Sequence, residues 1–262
     1  MILTAEEIIV SMAIKCRGDW NDIYSGLSDP QNRDLDEYLE VARKMKCKYV
    51  TILSPDYPEY LKNSFKPPFV LFYYGDISLI SNIGKNVAVV GSRVCSDYAV
   101  EATKEIVEVV AKDYNIVSGM AMGIDTVAHE SAMEVGGKTI AVLGSGIDYV
   151  FPSSNTELYK RIKEGHLVIS EYPGMTPPRT DTFPMRNRII AMLACATIVT
   201  EAYERSGTLA TVMFTLDYGR LLMCVPYPRL SNSECNRLIG GGAFLVETGK
   251  DVLKILANSN HF

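Results

Sequence analysis

The sequence predicts an α/β protein: an extended, Rossmann-like, doubly wound and mostly parallel sheet, preceded by a small helical N-terminal region. Three observations predict it. From Asn86 onward, short runs rich in β-branched residues, such as "VAVVG" and "TIAVLG", alternate with segments of helical length. Those runs are apolar throughout, the pattern of strands covered on both faces by helical crossovers. Before residue 84 the alternation is missing, so the reading places a helical region and connector over 1–83 and the sheet-bearing domain over 84–262.

The elements follow in order. Thr4 and Glu7 have the spacing of a capping box and open a helix over "AEEIIVSMAIKC". "SGLSDPQNRD" reads as a loop. "DLDEYLEVARKMK" gives a second amphipathic helix with Leu35, Tyr38, Leu39 and Ala42 on one face. The connector "YVTILSPDYPEYLKNSFKPPFVLFYYGD" holds two strand-like runs between four prolines, which stop anything longer. In the domain the strands are "VAVVG", "NIVSG", "TIAVLG", "LVISEY", "TIVTEA", "LLMCVP" and "AFLVE". Helices are expected near 97–112, 124–135, 154–164, 185–194, 207–218, 232–240 and 248–257.

A net charge of −5 over 262 residues excludes a protein that coats nucleic acid through bulk basicity, so any anion site has to be local. The six cysteines form no C-x-x-C pair and several lie in apolar runs, as reduced core residues of a cytosolic protein do. The first residues lack a basic stretch and contain Glu6 and Glu7, unlike a signal peptide. No run approaches the roughly 20 apolar residues of a membrane span. The expected location is the cytoplasm.

In a doubly wound sheet ligands bind beyond the carboxyl ends of the strands. The first strand is followed by Gly91, Ser92 and Arg93. The second leads into Ser118 and Gly119, and on to Gly123. The third ends in Gly144, Ser145 and Gly146, and the fifth is followed by Ser206, Gly207 and Thr208. Glycines let backbone N–H groups approach a phosphate, and a helix start is itself an anion site. Ordinary turn and cap chemistry accounts for any one of these loops alone; their convergence on one edge is what points to a site. There is no G-K-[ST] after a glycine loop, which excludes a P-loop NTPase, and no strict G-x-G-x-x-G at the first strand, which removes support for dinucleotide redox chemistry.

Arg93 offers a forked donor to a phosphate, or else a salt bridge to a neighbouring acid. In "FPMRNRIIAML" the proline reads as the first turn of a helix, where Arg186 and Arg188 are unfavourable against the helix dipole and call for a negative group nearby. Two positions separate them, about 200° around a helix, so one can face an anion while the other pairs with an acid such as Glu171 or Glu201. Phe151, with Asn155 after it, either stacks on an unpaired base or fills the core. His129 lies one helical turn after Asp125, as an acid/base pair or a helix-stabilising contact. His166 and His261 are isolated, so no metal site and no cofactor are expected, and nothing in the sequence compels an enzyme.

"SGMAMGIDTVAHESAM", "TIAVLGSGIDYVFPSSNTELYKRI", "LVISEYPGMTPPRTDTFPMRNRIIAML" and "TIVTEAYERSGTLATVMFTLDYGR" closely resemble, in order, the DNA-processing protein A (DprA/Smf) family, and the resemblance runs from about Tyr49 to about Leu245. It implies an extended Rossmann fold, a homodimer, binding of single-stranded DNA, and delivery of that strand to the RecA recombinase during natural transformation. Carried over by motif, Arg93 grips phosphate. The glycine loops and Phe151 hold a nucleotide, with Asn155, Arg186, Asn187 and Arg188 in the blocks that line the pocket. The chain departs from the family pattern at Pro226-Tyr227-Pro228, where V-P-G is usual, before Asn236, where a glycine is usual, and at Ser96 and Ala99. The alternative is a nucleotide-binding sensor or phosphoribohydrolase of the same superfamily, with Glu201 as its carboxylate; the P-G-G-x-G-T loop of those hydrolases is absent.

Overall fold

The computed structural model describes residues 3–29, 34–229 and 231–259. It opens with α1 (Ala5–Lys15), α2 (Trp20–Ser28) and α3 (Asp36–Lys44), then β1 (Lys48–Thr51), α4 (Glu59–Lys62) and β2 (Val70–Gly75). The alternating part follows: β3 (Asn86–Gly91), α5 (Asp97–Val110), β4 (Asn115–Ser118), α6 (Ile124–Glu134), β5 (Thr139–Gly146), α7 (Thr156–Gly165), β6 (Leu167–Tyr172) and α8 (Thr182–Met192). It closes with β7 (Ala196–Glu201), α9 (Gly207–Asp217), β8 (Leu221–Cys224), α10 (Cys235–Gly240), β9 (Phe244–Leu245) and α11 (Gly249–Asn258).

Among the described residues the strands form one sheet in the order β1-β2-β6-β5-β4-β3-β7-β8-β9. From β6 to β9 every pair is parallel, and β2 joins β6 antiparallel with Phe72 opposite Ser170. The fold is therefore the doubly wound, mostly parallel α/β architecture that the apolar runs predict. β3 has β4 on one side and β7 on the other, which is the reversal of strand order where a crevice opens.

Strand side chains alternate between two apolar layers. Val87, Val89, Ile116 and Ile198 pack with α5, α6 and α11, while Ala88, Val90, Val142 and Val199 pack with α8, α9 and the 57–80 segment. A third cluster joins Ile9, Val10, Ile23 and Leu35 of the N-terminal helices to Phe72, Ala141 and Val168 of the sheet. The sheet and its core thus run across the expected 83/84 boundary. β2 reads as a strand from its sequence, but nothing local in it signals that its partner is β6.

Thr4 and Glu7 form the capping box, with Glu7 N donating to Thr4 Oγ1 (3.2 Å) and Thr4 N to Glu7 Oε2 (2.9 Å). Two local readings change. Residues 25–28 belong to α2 rather than to a loop; Asp19 caps that helix by accepting from Asn21 N and Asp22 N. Residues 30–33 and His261 lie outside the described residues. α8 begins at Thr182, so Pro184 is its third residue, still among the N–H groups that have no intrahelical partner. Arg186 and Arg188 therefore sit beyond the first turn, where the dipole penalty has faded.

Candidate functional site

At the crevice beside β3, three loops and two helix starts surround a cleft of about 510 Å³. β3 ends in Gly91, whose missing side chain admits α6: a Cβ there would lie 2.6 Å from Ile124 Cγ1. Ser92 Oγ then donates to Val94 O (2.6 Å) and turns the chain outward, which leaves Arg93 exposed at the mouth. Arg93 has no ion-pair partner among the described residues; its guanidinium carbon lies 5.2 Å from the centre of the Phe183 ring. The salt-bridge reading of this residue gives way to a cation held over an aromatic face and open to solvent.

The opposite wall is the start of α9. Thr208 Oγ1 donates to Gly91 O (3.0 Å) and Asn187 Nδ2 to Gly207 O (3.0 Å), so β3, α8 and α9 are tied together around the opening. Ser206 has the extended backbone of an N-cap, but its buried hydroxyl has no partner among the described residues. An orphaned hydroxyl beside unpaired helix N–H groups is an arrangement that a phosphate oxygen completes.

Arg186 forms the floor. It is buried, with Nε donating to Asn187 Oδ1 (3.0 Å) and Nη1 to Val142 O (2.6 Å). Gly119 packs against both Arg186 and Asp125, and a Cβ there would lie 2.5 Å from Arg186 Nη1. Burial pushes the Asp125 carboxyl up and the Arg186 guanidinium down, and each group's charge opposes the shift of the other. Arg188 points the other way: it is fully buried and its Nη2 donates to Glu171 Oε1 at 2.5 Å. The division that the 200° separation implies is resolved, with Arg186 at the cleft and Arg188 paired with Glu171.

Next to the cleft a recess of about 110 Å³ is lined by Met120, Met122, Gly144, Phe151 and Phe183. Phe151 is 45% exposed, 5.8 Å from Phe183, and so is a wall of the recess rather than part of the core.

The structure brings Gly91, Ser92, Arg93, Arg186, Asn187, Ser206, Gly207 and Thr208 to the cleft, and Gly144 and Phe151 to the recess. The remaining expected residues serve the scaffold. Ser118 Oγ donates to Val89 O (2.7 Å), and Gly123 turns the chain at φ +78° against Ser92 O. Gly146 N donates to Thr176 O (2.7 Å). Asn155 is buried, and its Nδ2 donates to Met120 O (3.0 Å) and Thr126 Oγ1 (2.9 Å), which fixes the loop after β4. Phe183, Tyr203 and Met122 line the openings without having been singled out from the sequence; the phenylalanine before Pro184 was the available signal.

His129 does not pair with Asp125. It is buried, Nε2 donating to Gly119 O (2.5 Å) and Nδ1 lying 2.6 Å from Thr139 Oγ1, whose hydroxyl also donates to Ile116 O (2.9 Å). Burial pushes its pKa down to about 4 from 6.5. A depressed histidine is neutral when folded and takes up a proton on unfolding, so stability is complete above about pH 6.5 and falls as the pH drops toward 4. The slope is about 1.4 kcal/mol per pH unit, roughly 3 kcal/mol in all. Urea unfolding between these pH values tests this: a His129→Gln variant should flatten that slope, and an equal slope in both proteins would contradict it.

Glu201, the carboxylate of the hydrolase alternative, does not line the cleft that holds Arg93. It accepts from Ser96 N (3.1 Å), Ser96 Oγ (2.7 Å) and Tyr227 OH (3.2 Å) and borders a separate cleft of about 660 Å³. The departures from the family pattern meet here: Ser96 caps α5, and Tyr227 N donates to Asn236 Oδ1 (2.9 Å) while Asn236 Nδ2 donates to Tyr227 O (2.8 Å). Among the described residues no cluster of three or more His, Cys, Asp or Glu is placed to hold a metal ion, and no helix is long and apolar enough to cross a membrane.

The family model described as DNA recombination-mediator protein A matches residues 48–257. The chain belongs to that family. It is 42% identical over 205 residues to DNA processing protein DprA of Streptococcus pneumoniae, covering 78% of this chain and 72% of that one. Against Protein Smf of Synechocystis the identity is 36% over 225 residues, covering 84% of this chain and 56% of the relative. Within the family, the fold is similar to the structure of S. pneumoniae DprA, with a TM-score of 0.82 at 33% identity over 97% of this chain and 98% of that one. It is also similar to DNA processing protein A from Helicobacter pylori, described for its unique single-stranded DNA binding mode. That TM-score is 0.73 at 26% identity, over 82% of this chain and 98% of the other.

Proposed function

We propose that this protein binds single-stranded DNA in the cleft at the carboxyl edge of the sheet and, as a homodimer, delivers it to the RecA recombinase during natural transformation. The observation that carries the reading is Arg93: a solvent-facing guanidinium with no ion-pair partner among the described residues, only the longer-range charge of Asp125 below it, held over Phe183 and opposite the N-terminus of α9. Phosphate is the group such a pair of donors recognises. Phe151 at the recess offers a face for an unpaired base. The single-strand binding described for the H. pylori relative supports the same ligand. The hydrolase alternative needs a free carboxylate in the phosphate cleft, and the position of Glu201 disfavours it.

The test is competition by unlabelled oligonucleotides across a range of salt. Single strands should displace a labelled single strand far better than duplex does, and log affinity should fall with log salt by about 0.7 per phosphate neutralised. Equal competition by duplex, or a flat salt response, overturns the reading. Release of free base from nucleoside monophosphates would favour the hydrolase.

We infer that the homodimer forms through β9. Among the described residues this strand pairs only with β8, and its Phe244 and Leu245 are 45% and 49% exposed, an apolar sheet edge of the kind that seeks a partner. Leu245→Arg should shift sedimentation at micromolar concentration from dimer to monomer. A wild type that is already monomeric refutes the placement.

A further inference from the structure

Along the same carboxyl edge, four strands from the cleft, stands a group of side chains that the function above leaves unused. Because β2 runs antiparallel to β6, its first residues lie beside Tyr172 at the carboxyl end of β6. There Trp20, the single tryptophan of the chain, stacks on Phe69 (5.2 Å) and donates its Nε1–H to Pro67 O (2.8 Å). Tyr24, one turn further along α2, stacks on Trp20 at 5.3 Å with 9° between the rings; it is 58% exposed, so most of its ring faces solvent. Lys66 Nζ donates to Asn21 Oδ1 (2.8 Å) and sits 5.2 Å from the Trp20 ring and 5.8 Å from Phe65, which is 57% exposed.

This group is joined to the cleft. Arg179 Nη2 donates to Asp19 Oδ2 (3.3 Å), at the cap of α2, and to Asp181 Oδ2 (2.9 Å), two residues before the Phe183 ring that carries Arg93. From β3 through β4, β5 and β6 to β2 is four inter-strand steps of about 4.8 Å, so the two places are roughly 20 Å apart on one edge.

We propose that Trp20, Tyr24, Phe65 and Lys66 form a second subsite for the same single strand, on which unpaired bases leaving the cleft stack against Tyr24 and Phe65. The proposal rests on the single-strand reading of the cleft. Stacked aromatics with an adjacent cation make a sequence-tolerant platform for bases. Asp19 is paired with Arg179, and Asp22 makes no ion pair among the described residues, so the local charge favours a grip on bases over a grip on phosphates. The subsite should add affinity with little added salt dependence.

The test uses the full chain and oligothymidylates of about 4 and about 16 nucleotides, the ends of the usual range of site sizes. The long strand should bind more tightly and quench Trp20 emission; the short one should bind without quenching. Tyr24→Ala combined with Phe65→Ala, both at exposed positions, should lose about tenfold or more on the long strand, as for one stacked base, and nothing on the short one. Unchanged long-strand affinity in this variant, or Trp20 emission that ignores the long strand, overturns the subsite; a patch reserved for a protein partner gives that result. Failure of the wild type to bind either strand overturns the cleft reading itself.

Discussion

Arg188→Met should lower the stability of the protein by about 3–5 kcal/mol, measured by chemical denaturation. The side chain is fully buried and Glu171, its partner, is 3% exposed, so the substitution leaves a carboxylate in the interior without its counter-charge. Burial already pushes the Glu171 carboxyl up, with Arg188 opposing. Without the arginine that carboxyl is relieved by taking up a proton, which limits the loss. Arg188 Nε and Nη1 have no hydrogen-bond partner among the described residues, so the pair is costly to bury even intact. Replacing both residues, Arg188→Met with Glu171→Met, should therefore recover most of the stability. Since Arg188 lies on the side of α8 away from the cleft, the folded variant should bind a single strand as the wild type does. A loss below about 1 kcal/mol would show that the pair does not hold α8 to β6.

Arg188 also shows where sequence reasoning stops. The spacing of Arg186 and Arg188 states that they face different ways, because helix geometry is local; which of them meets an acid depends on Glu171 in β6 and Asp125 in α6, brought there by the fold. The parallel strands were readable because strands covered on both faces are apolar at most positions on either side, even though β6 and β7 also bury Ser170, Glu171, Thr197 and Thr200. The pairing of β2 with β6 was not, since an antiparallel addition at an edge leaves no mark in either strand beyond its apolar character. α2 was missed in part because it buries only Ile23 completely and carries Gly26 and Ser28, so its apolar face is too thin to register as a period. The residues following each strand point to the cleft because side chains of α6 and α8 pack directly onto Gly91, Gly119 and Gly144 there. The same rule over-predicted: Gly123 and Gly146 are small because other backbone packs against them. Phe183 stands before the proline that opens the expected helix, and nothing local to that position signals that Arg93 lies above its ring.

Arg93→Ala should weaken single-strand binding by about 1.5–3 kcal/mol, roughly tenfold to hundredfold, the range for a hydrogen bond to a charged group. The loss should be the same for every base sequence, because a phosphate contact carries no sequence information. It should also make the log–log salt slope shallower by about 0.7, one phosphate's worth. Stability should hardly change, since Arg93 is exposed and pairs with no acid among the described residues. Arg93→Lys separates charge from shape: the charge stays, while the planar fork and its seat on Phe183 are lost, so the salt slope should be kept and only part of the affinity recovered. Glu201→Gln is the matching control, because that carboxylate is occupied by Ser96 and Tyr227 on the far side of Tyr203 and should leave binding unchanged. A variant lacking Arg93 that binds with wild-type affinity and an unaltered salt slope would remove the phosphate from this cleft and, with it, the reason for placing the strand there.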